Sequence, residues 1–469
     1  MKRIFHFIAC ILLPAVMLGA PQKPNVLFII TDQQFADAMS CRMGSRYIHT
    51  PVLDGLARDG MFFTRAYSAN PLCMPSRNSM FTGRYPHETR VTRNNEIKLD
   101  PAEFVDLGAC FQRAGYQTAY FGKRHLFFNV EKSFPITINP PMTNHDIATA
   151  ASAVDFLSQK HDQPFLLVVS FKNPHNVCEL SRGQDLPDGE IGAPPPPENC
   201  PPLPANFAPQ QDEPDTMTIM RKGYQASPLF PVGNYTEAHW RQLRWGYCRL
   251  IEKVDAQIGE VLGALRRAGL EDNTIVVFTS DHGECAGAHD FIQKTVLYEE
   301  SARVPLIISF KGRAKAGLCD KLVNTGVDIM PTLLDFAGAP VPPKLTGRSL
   351  RPLALGQPAA DWRDFVVVED DMDQAGPVDG FTPSALGRMV RTDRYKYCIY
   401  SRGLKRESLV DLQTDPDEAK NLAGDPAFRA ILLEHRALLA RFAKEHNDPQ
   451  AIAMLADDVK PVPFRKKKP

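Results

Sequence analysis

Four apolar runs in this chain are each followed at once by residues able to do chemistry: Asp32-Gln33-Gln34, Lys123-Arg124-His125, Lys172-Asn173-Pro174-His175 and Asp281-His282-Gly283-Glu284. Taken singly, each such residue reads as readily as a surface charge or a cap. Four at the same position relative to a buried run weigh more, because open α/β sheets bind ligands in the crevice beyond the carboxyl ends of their strands. The run ends deliver acids, a carboxamide, histidines and lysines to one edge, and that edge reads as an active site. A fifth segment, Asn70-Pro71-Leu72-Cys73-Met74-Pro75-Ser76-Arg77 with Thr82-Gly83-Arg84 behind it, adds a thiol. Pro75 can open a helix and Gly83 can close it, which sets Cys73 at a helix N-terminus, where negative charge is stabilised. On these grounds Cys73 is either part of an anion site or a half-buried thiol that caps a turn or joins a disulfide.

The elements that must position these groups follow from the runs themselves. Asn25–Thr31, Thr118–Gly122, Pro164–Phe171, Thr274–Ser280 and Val304–Phe310 have strand length and little alternation. Such continuous Val/Ile/Leu/Phe runs mark parallel strands buried on both faces. Helical patterns lie between them at Glu103–Ala114, Asp146–Gln159, Glu237–Ala268 and Val327–Ala337. The alternation predicts an α/β fold with a large mixed, mainly parallel sheet sandwiched by helices, over residues 21–346. Residues 187–214 hold ten prolines and read as a loop or polyproline-like insertion. After Gly347, Phe365–Glu369, Gly387–Tyr400 and Ser408–Leu412 alternate like half-solvated antiparallel strands, with a helix near Pro426–Ala443. A smaller C-terminal α+β subdomain over residues 347–469 is expected, with Arg465–Lys468 as a solvated basic tail.

Composition narrows the field further. Of 469 residues, 43% are hydrophobic and 23% charged, which describes a folded globule and not a disordered chain. Lys+Arg and Asp+Glu balance at 54 each, so no global basic field attracts nucleic acid, and no nucleic-acid partner is expected. Residues 1–20 read as a signal peptide: Lys2 and Arg3, an apolar stretch from Ile4 to Leu18, then Gly19 and Ala20. No later segment approaches the roughly 20 apolar residues of a membrane span, so the protein is expected to be exported, periplasmic or extracellular, with no stable membrane span. Cys10 would leave with the signal, and the remaining nine cysteines make an odd set in an oxidising compartment. Asn234-Tyr235-Thr236 forms a glycosylation sequon, relevant only in a eukaryotic host.

Cys73-x-Pro75-Ser76-Arg77 with Thr82-Gly83-Arg84 resembles the signature of type I, formylglycine-dependent sulfatases of the alkaline phosphatase superfamily. Asp32-Gln33, Gly122-Lys123-x-His125, Pro174-His175, Asp281-His282-Gly283-Glu284, Lys294 and Tyr298-Glu299-Glu300-Ser301-x-Arg303-Val304-Pro305 occur in that family's order. Leu409-x-Asp411-Leu412, Asp415-Pro416 and Asn421-Leu422 resemble its C-terminal signature, so the likeness spans residues 25–425. Two positions depart from it: Arg124 stands where many relatives carry Trp, and Gln33 where many carry Asp. The first bears on substrate contacts and the second on metal charge.

The resemblance implies an alkaline phosphatase-like fold and an exported sulfatase acting on sulfate monoesters, with carbohydrate esters favoured by export and the long insertion. It implies that a maturation enzyme converts Cys73 to formylglycine, whose hydrated aldehyde attacks sulfur and later releases sulfate. That conversion would also leave an even eight thiols. It implies one divalent cation, and Asp32, Gln33 and Asp281 offer the oxygens calcium prefers, with the modified Cys73 beside them. His282 is then a further ligand, although imidazole suits softer metals, or else a hydrogen-bond donor to sulfate or Asp281. By the same resemblance Lys123 and Lys294 clamp the sulfate, Arg77 holds the formylglycine, His125 binds its second hydroxyl, and His175 is the general acid for the departing alkoxide. Gln34 is expected to face solvent unless it orients Asp32. Glu284 is expected to support the site or cap a helix, and His289 to lie on the substrate side or the surface. The rival activities are a formylglycine-dependent phosphonate monoester or phosphodiester hydrolase and, outside catalysis, a sulfated-glycan-binding protein.

Overall fold

A computed structural model describes residues 23–94, 103–456 and 464; the expected signal peptide, residues 1–20, and the expected solvated tail Arg465–Lys468 lie outside the described residues. In chain order its strands are β1 (Asn25–Asp32), β2 (Met61–Phe63), β3 (Ala66–Tyr67), β4 (Gln117–Gly122), β5 (Ile136–Ile138), β6 (Phe165–Pro174), β7 (Thr274–Ser280), β8 (Leu306–Phe310), β9 (Gly317–Cys319), β10 (Val323–Asn324), β11 (Phe365–Met372), β12 (Ala385–Thr392), β13 (Tyr395–Tyr400) and β14 (Glu407–Asp411). Eight of them form one sheet in the order β5-β4-β6-β1-β7-β8-β2-β9. Within a strand such as β1, alternate residues enter opposite cores. Val26, Phe28 and Ile30 pack with the helices Cys73–Thr82 and Thr325–Ala337, whereas Leu27 and Ile29 pack with His145–Leu157 and Glu237–Arg267. Both sets are apolar, which is why the run does not alternate. Truncating one such side chain, Phe28 for example, should cost about 3–5 kcal/mol.

The pairings β5–β4, β4–β6, β6–β1 and β1–β7 are all parallel. Their register aligns the carboxyl ends: Thr31 lies beside Ser280, and Ile30 and Gly122 beside Ser170. The expectation that Val304–Phe310 is another parallel strand is corrected, because β8 runs antiparallel to both β7 and β2. The 281–305 connection holds only single-turn helices, Ala288–Asp290 and Glu299–Ala302, so the chain does not cross back over the sheet. β8 starts at the edge where β7 ends and must run the other way.

The second sheet, β11-β12-β13-β14, is antiparallel throughout. The expected half-solvated alternation is also corrected. One face packs Val367, Val390, Tyr397 and Leu409 against the helix Arg429–His446, and the other packs Val368, Met389 and Tyr400 toward Tyr298 and Phe291 of the large unit. The polar residues between them, Glu369, Arg388 and Lys396, are buried in ion pairs, which lets a polar alternation exist without a wet face.

Residues 187–214 form no strand or α-helix, only the single turn Pro197–Asn199. The segment is nonetheless fastened: Asp188, Cys200, Asn206 and Gln210 are buried, and Phe207 meets Trp240 edge-on at 5.8 Å. All nine described cysteines are unpaired, so the even count left by modifying Cys73 has no disulfide counterpart among them. No described helix is long and apolar enough to cross a membrane.

Candidate active site

The helix Cys73–Thr82 begins at Cys73 and ends on Gly83, whose left-handed backbone (φ 65°) returns an N–H to the Ser79 carbonyl. Cys73 and Arg77 are four residues apart and share a face. That face meets the carboxyl edge of the large sheet. The fully buried Arg77 guanidinium donates from Nε to Asp281 Oδ2 (2.7 Å), from Nη2 to Asp32 Oδ2 (2.9 Å) and from Nη1 to Ser170 Oγ (2.7 Å). One arginine thus ties the ends of β1, β6 and β7 to the helix that presents the thiol. Ser76 adds a bond from its hydroxyl to the Asp281 carbonyl (2.5 Å).

Around Cys73 Sγ stand Lys294 Nζ at 3.2 Å, His282 Nε2 at 3.1 Å, Lys123 Nζ at 3.8 Å and Asp32 Oδ1 at 3.8 Å. Burial and Asp32 push the thiol upward, but Lys123, Lys294 and His282 outweigh them and hold it well below the ordinary thiol range. Lys123 also pairs with Asp32 Oδ2 at 2.5 Å. It reaches the edge because Gly122 precedes it: at φ +100°, a Cβ there would lie 2.0 Å from the Ser170 carbonyl oxygen.

The two carboxylates differ. Burial opposes ionisation of Asp32, yet Lys123, His175, Arg77 and Lys294 hold it well below its usual range. Asp281 is raised, by burial first and by the charge of Asp32, with Arg77 opposing. Asp281 Oδ1 accepts the backbone N–H groups of Gln33 (3.1 Å) and His282 (2.9 Å). His282 Nδ1 lies 3.0 Å from the Gly283 carbonyl, which can only accept; that bond puts a proton on Nδ1 and turns Nε2 toward Cys73 and the carboxylates. Burial lowers the His282 imidazole and Asp281 raises it, with a net upward shift. Ligand atoms of Asp32, Cys73, Asp281 and His282 all lie within 4.8 Å of one another.

Gln33 has a left-handed backbone (φ 70°) that turns the chain as it leaves β1. Its Oε1 accepts from Lys294 Nζ (2.6 Å), its Nε2 donates to Glu284 Oε2 (2.5 Å), and its carbonyl accepts the Tyr247 hydroxyl (2.8 Å). Burial lowers Lys294, but Cys73 and Asp32 more than compensate, so the ammonium stays charged. His175, just past β6, is half-buried. Burial and the charges of Lys123 and Lys294 press its imidazole well below the ordinary value, and its Nδ1 has no partner among the described residues.

The structure therefore brings Asp32, Gln33, Cys73, Arg77, Lys123, Asp281, His282 and Lys294 into one buried cluster, with His175 beside it. His125 is not drawn in: it is exposed, with φ 49°, and the bond in its neighbourhood is from Asn78 Nδ2 to its carbonyl (3.2 Å). Gln34 is fully buried and does not face solvent. Its Nε2 donates to the Ala38 carbonyl and its Oε1 accepts from Thr31. His289 is likewise no surface residue; it is fully buried and stacks on Tyr298 at 3.8 Å. Glu284 supports Gln33 and also accepts the N–H groups of Ala286 and Gln293, so it pins the loop and caps no helix. Tyr247 and Ser170 do not stand out in the sequence, where a helical Tyr and a strand Ser carry no signal of their own.

With this geometry in hand, likeness to known proteins becomes specific. The family model described as Sulfatase matches residues 24–339, and that described as N-sulphoglucosamine sulphohydrolase, C-terminal, matches residues 287–445. A Delta 4,5-hexuronate-2-O-sulfatase of Bacteroides thetaiotaomicron is 31% identical, over 92% of this chain and 90% of its own. The solved structure of a 2-O GAG sulfatase is 30% identical and superposes with a TM-score of 0.80, covering 91% of this chain and 93% of that one. A phosphonate monoester hydrolase of Agrobacterium radiobacter is 25% identical with a TM-score of 0.71, over 90% and 96%.

Proposed function

This chain belongs to the sulfatase family, and from that premise we propose that it is an exported enzyme hydrolysing sulfate monoesters of carbohydrates at the Cys73 edge. The observation that carries the reading is Cys73 itself: a buried Sγ at a helix N-terminus, ringed by two lysines, an imidazole and a carboxylate within 3.8 Å. The carbohydrate class is supported by the relatives, since the 2-O-sulfatases of similar length are named for hexuronate and glycosaminoglycan esters. Export rests on the pattern of residues 1–20.

The residues fit the two groups the family implies. Two fully buried carboxylates converge at Asp32 and Asp281, oxygen donors suited to a hard divalent cation, for which we take calcium; the Gln33 amide oxygen, which accepts from Lys294 in the structure, is the further oxygen the family resemblance implies. His282 Nε2 points at the same place, as a fourth ligand less suited to calcium. The cation would polarise sulfate oxygens and favour the ionised nucleophile. Cys73, converted to formylglycine by a maturation enzyme, would supply that nucleophile as a hydrated aldehyde.

The chain's own residues do the rest. Lys123 and Lys294 flank the reacting position and set positive charge where the sulfuryl oxygens gather negative charge. Arg77 serves as the cross-brace that fixes Asp32, Asp281 and the Cys73 helix in one frame. His175 stands on the leaving-group side as the proton source for the departing alkoxide. Burial and the two lysines hold its ring toward the neutral form, and an anionic ester bound between the lysines offsets their charge and favours the proton it delivers. His125 keeps a place near the nucleophile on its motif alone, as an exposed ring just past β4.

The test is sulfate release by the matured protein from a panel of sulfated sugars, set against matched phosphate mono- and diesters and phosphonate esters. Higher kcat/KM on the sulfates is expected. Faster cleavage of the diesters or phosphonates would move the assignment to the Agrobacterium-type activity. His175→Ala should slow alkyl (sugar) sulfates by about 100-fold or more and activated aryl sulfates much less, because a poor leaving group needs the proton.

A further inference from the structure

The turn that carries His175 is held by a residue that belongs to none of the sequence motifs of the site. We propose that Asp188 is a positioning residue that sets the His175 imidazole against the leaving-group oxygen, an inference that rests on His175 being the leaving-group acid. His175 has no partner at Nδ1 among the described residues, so no hydrogen bond to that nitrogen orients its ring. Its aim must come from the turn, and the turn is clamped on both sides of the histidine. Asp188 Oδ2 accepts from Asn173 Nδ2 (3.3 Å) and from Asn176 Nδ2 (2.9 Å). Its Oδ1 accepts the N–H of Asp146 (3.0 Å), and Asp146 in turn accepts the N–H groups of Lys172 (2.6 Å) and Asn173 (2.8 Å) and the Asn173 side-chain amide (2.9 Å).

Asp188 is itself anchored. Only 3% of it is exposed. Lys253, from the long helix Glu237–Arg267, donates to the carbonyls of residues 188, 189 and 190 at 2.6, 2.7 and 3.2 Å, and the N–H of Asn144 donates to the Pro187 carbonyl (2.9 Å). The first residues of the Pro-rich segment are thus the strut that transmits the rigidity of two helices to His175. A carboxylate suits this position because it accepts from all three N–H donors at once, whereas an amide in its place would turn an NH2 toward one of them.

A merely structural clamp and a positioning one separate by leaving group. Asp188→Ala and Asp188→Asn should lower kcat/KM on an alkyl sulfate by about 10- to 100-fold, the size expected for a misplaced proton donor, and on a matched activated aryl sulfate by less than about threefold. The loss should fall on kcat and not on KM. Retained aryl turnover in the same preparation shows that the protein is folded and matured. In a His175→Ala background the Asp188 substitutions should cost nothing more on the alkyl ester, since the group they position is gone. Lys253→Met, which leaves the carboxylate but frees its segment, should show the same selectivity at smaller size. Equal losses on both esters, or full additivity with His175→Ala, would overturn the proposal. If His175→Ala fails to discriminate the two leaving groups, the acid role itself is wrong and this inference falls with it.

Discussion

Two buried clusters in this molecule are made from the same parts. At the sheet edge Asp32, Asp281 and His282 meet Cys73, with Arg77 bracing the carboxylates; beside the C-terminal sheet Glu369, Asp448 and His87 meet, with Arg388 bracing them. Each set has the side chains and the spacing to hold a cation. In the second, the groups close on one another. His87 Nδ1 meets Glu369 Oε1 (2.5 Å), its Nε2 meets the His446 carbonyl (3.0 Å), and Asp448 takes Arg388 Nε (2.7 Å) with the N–H groups of Gln450 and Ala451. In the first, two lysines and an imidazole converge on a single sulfur. Residue type does not separate them; convergence on one reactive atom does.

Cys73→Ala breaks the comparison most severely. Turnover should fall by at least about 10^4-fold, as for loss of a nucleophile, with little change in Tm because Arg77 still braces the frame. Mass spectrometry of the active protein should find an aldehyde at residue 73, and full activity with an intact thiol there would end the mechanism.

Chelation comes next. Removing the cation does not leave two carboxylates unopposed, because Arg77 pairs with both Asp32 and Asp281 and Lys123 pairs with Asp32. Activity should therefore drop by more than about 100-fold while Tm falls only a few degrees, and calcium should restore both. Full activity after exhaustive chelation would remove the cation from the site.

The second cluster should behave in the opposite way. Arg388→Met removes the charge partner of Asp448 in a fully buried setting, while Glu369 keeps His87, and should destabilise the protein by about 3–5 kcal/mol, read from denaturant unfolding, without changing kcat per folded molecule. A kcat that falls in step with stability would mean the two clusters are coupled.

The contrast also explains what the sequence discloses. Strand ends are legible because a continuous apolar run fixes where the polar edge begins, so Asp32, Lys123, His175 and Asp281 stand out, and the Cys73 helix is marked by Pro75 in its first turn and Gly83 at its end. Support is not legible. Gln33 and Glu284 are 251 residues apart, and Tyr247 is 214 residues from the carbonyl it holds. Asp188 sits in a segment whose prolines signal only irregular chain. The direction of β8 is hidden because a doubly buried run looks the same whichever way it points. His289 and Gln34 are polar residues that the tertiary fold buries, which no local pattern records, and the alternation of β11 to β14 mistakes buried ion pairs for a wet face.

The smallest expected effect is a titration confined to the second cluster. Burial lowers the His87 imidazole, but Glu369 outweighs it, by charge and by hydrogen bond, and raises it to about 9. The folded value thus lies above the unfolded value of about 6.5. A group raised in this way stabilises the fold fully below about pH 6.5 and loses that contribution as pH climbs through about 9. The ring is nearly enclosed, at 5% side-chain exposure, so screening is slight and the contribution is on the order of 3 kcal/mol. Unfolding free energy followed from pH 6 to 10 should therefore decline across that window in the unmodified protein, and the decline should shrink in His87→Gln. An unchanged slope in the variant would place the titrating group elsewhere. Activity corrected for folded fraction should show no His87-dependent change, because the cluster that holds this proton closes on itself and offers nothing to a substrate.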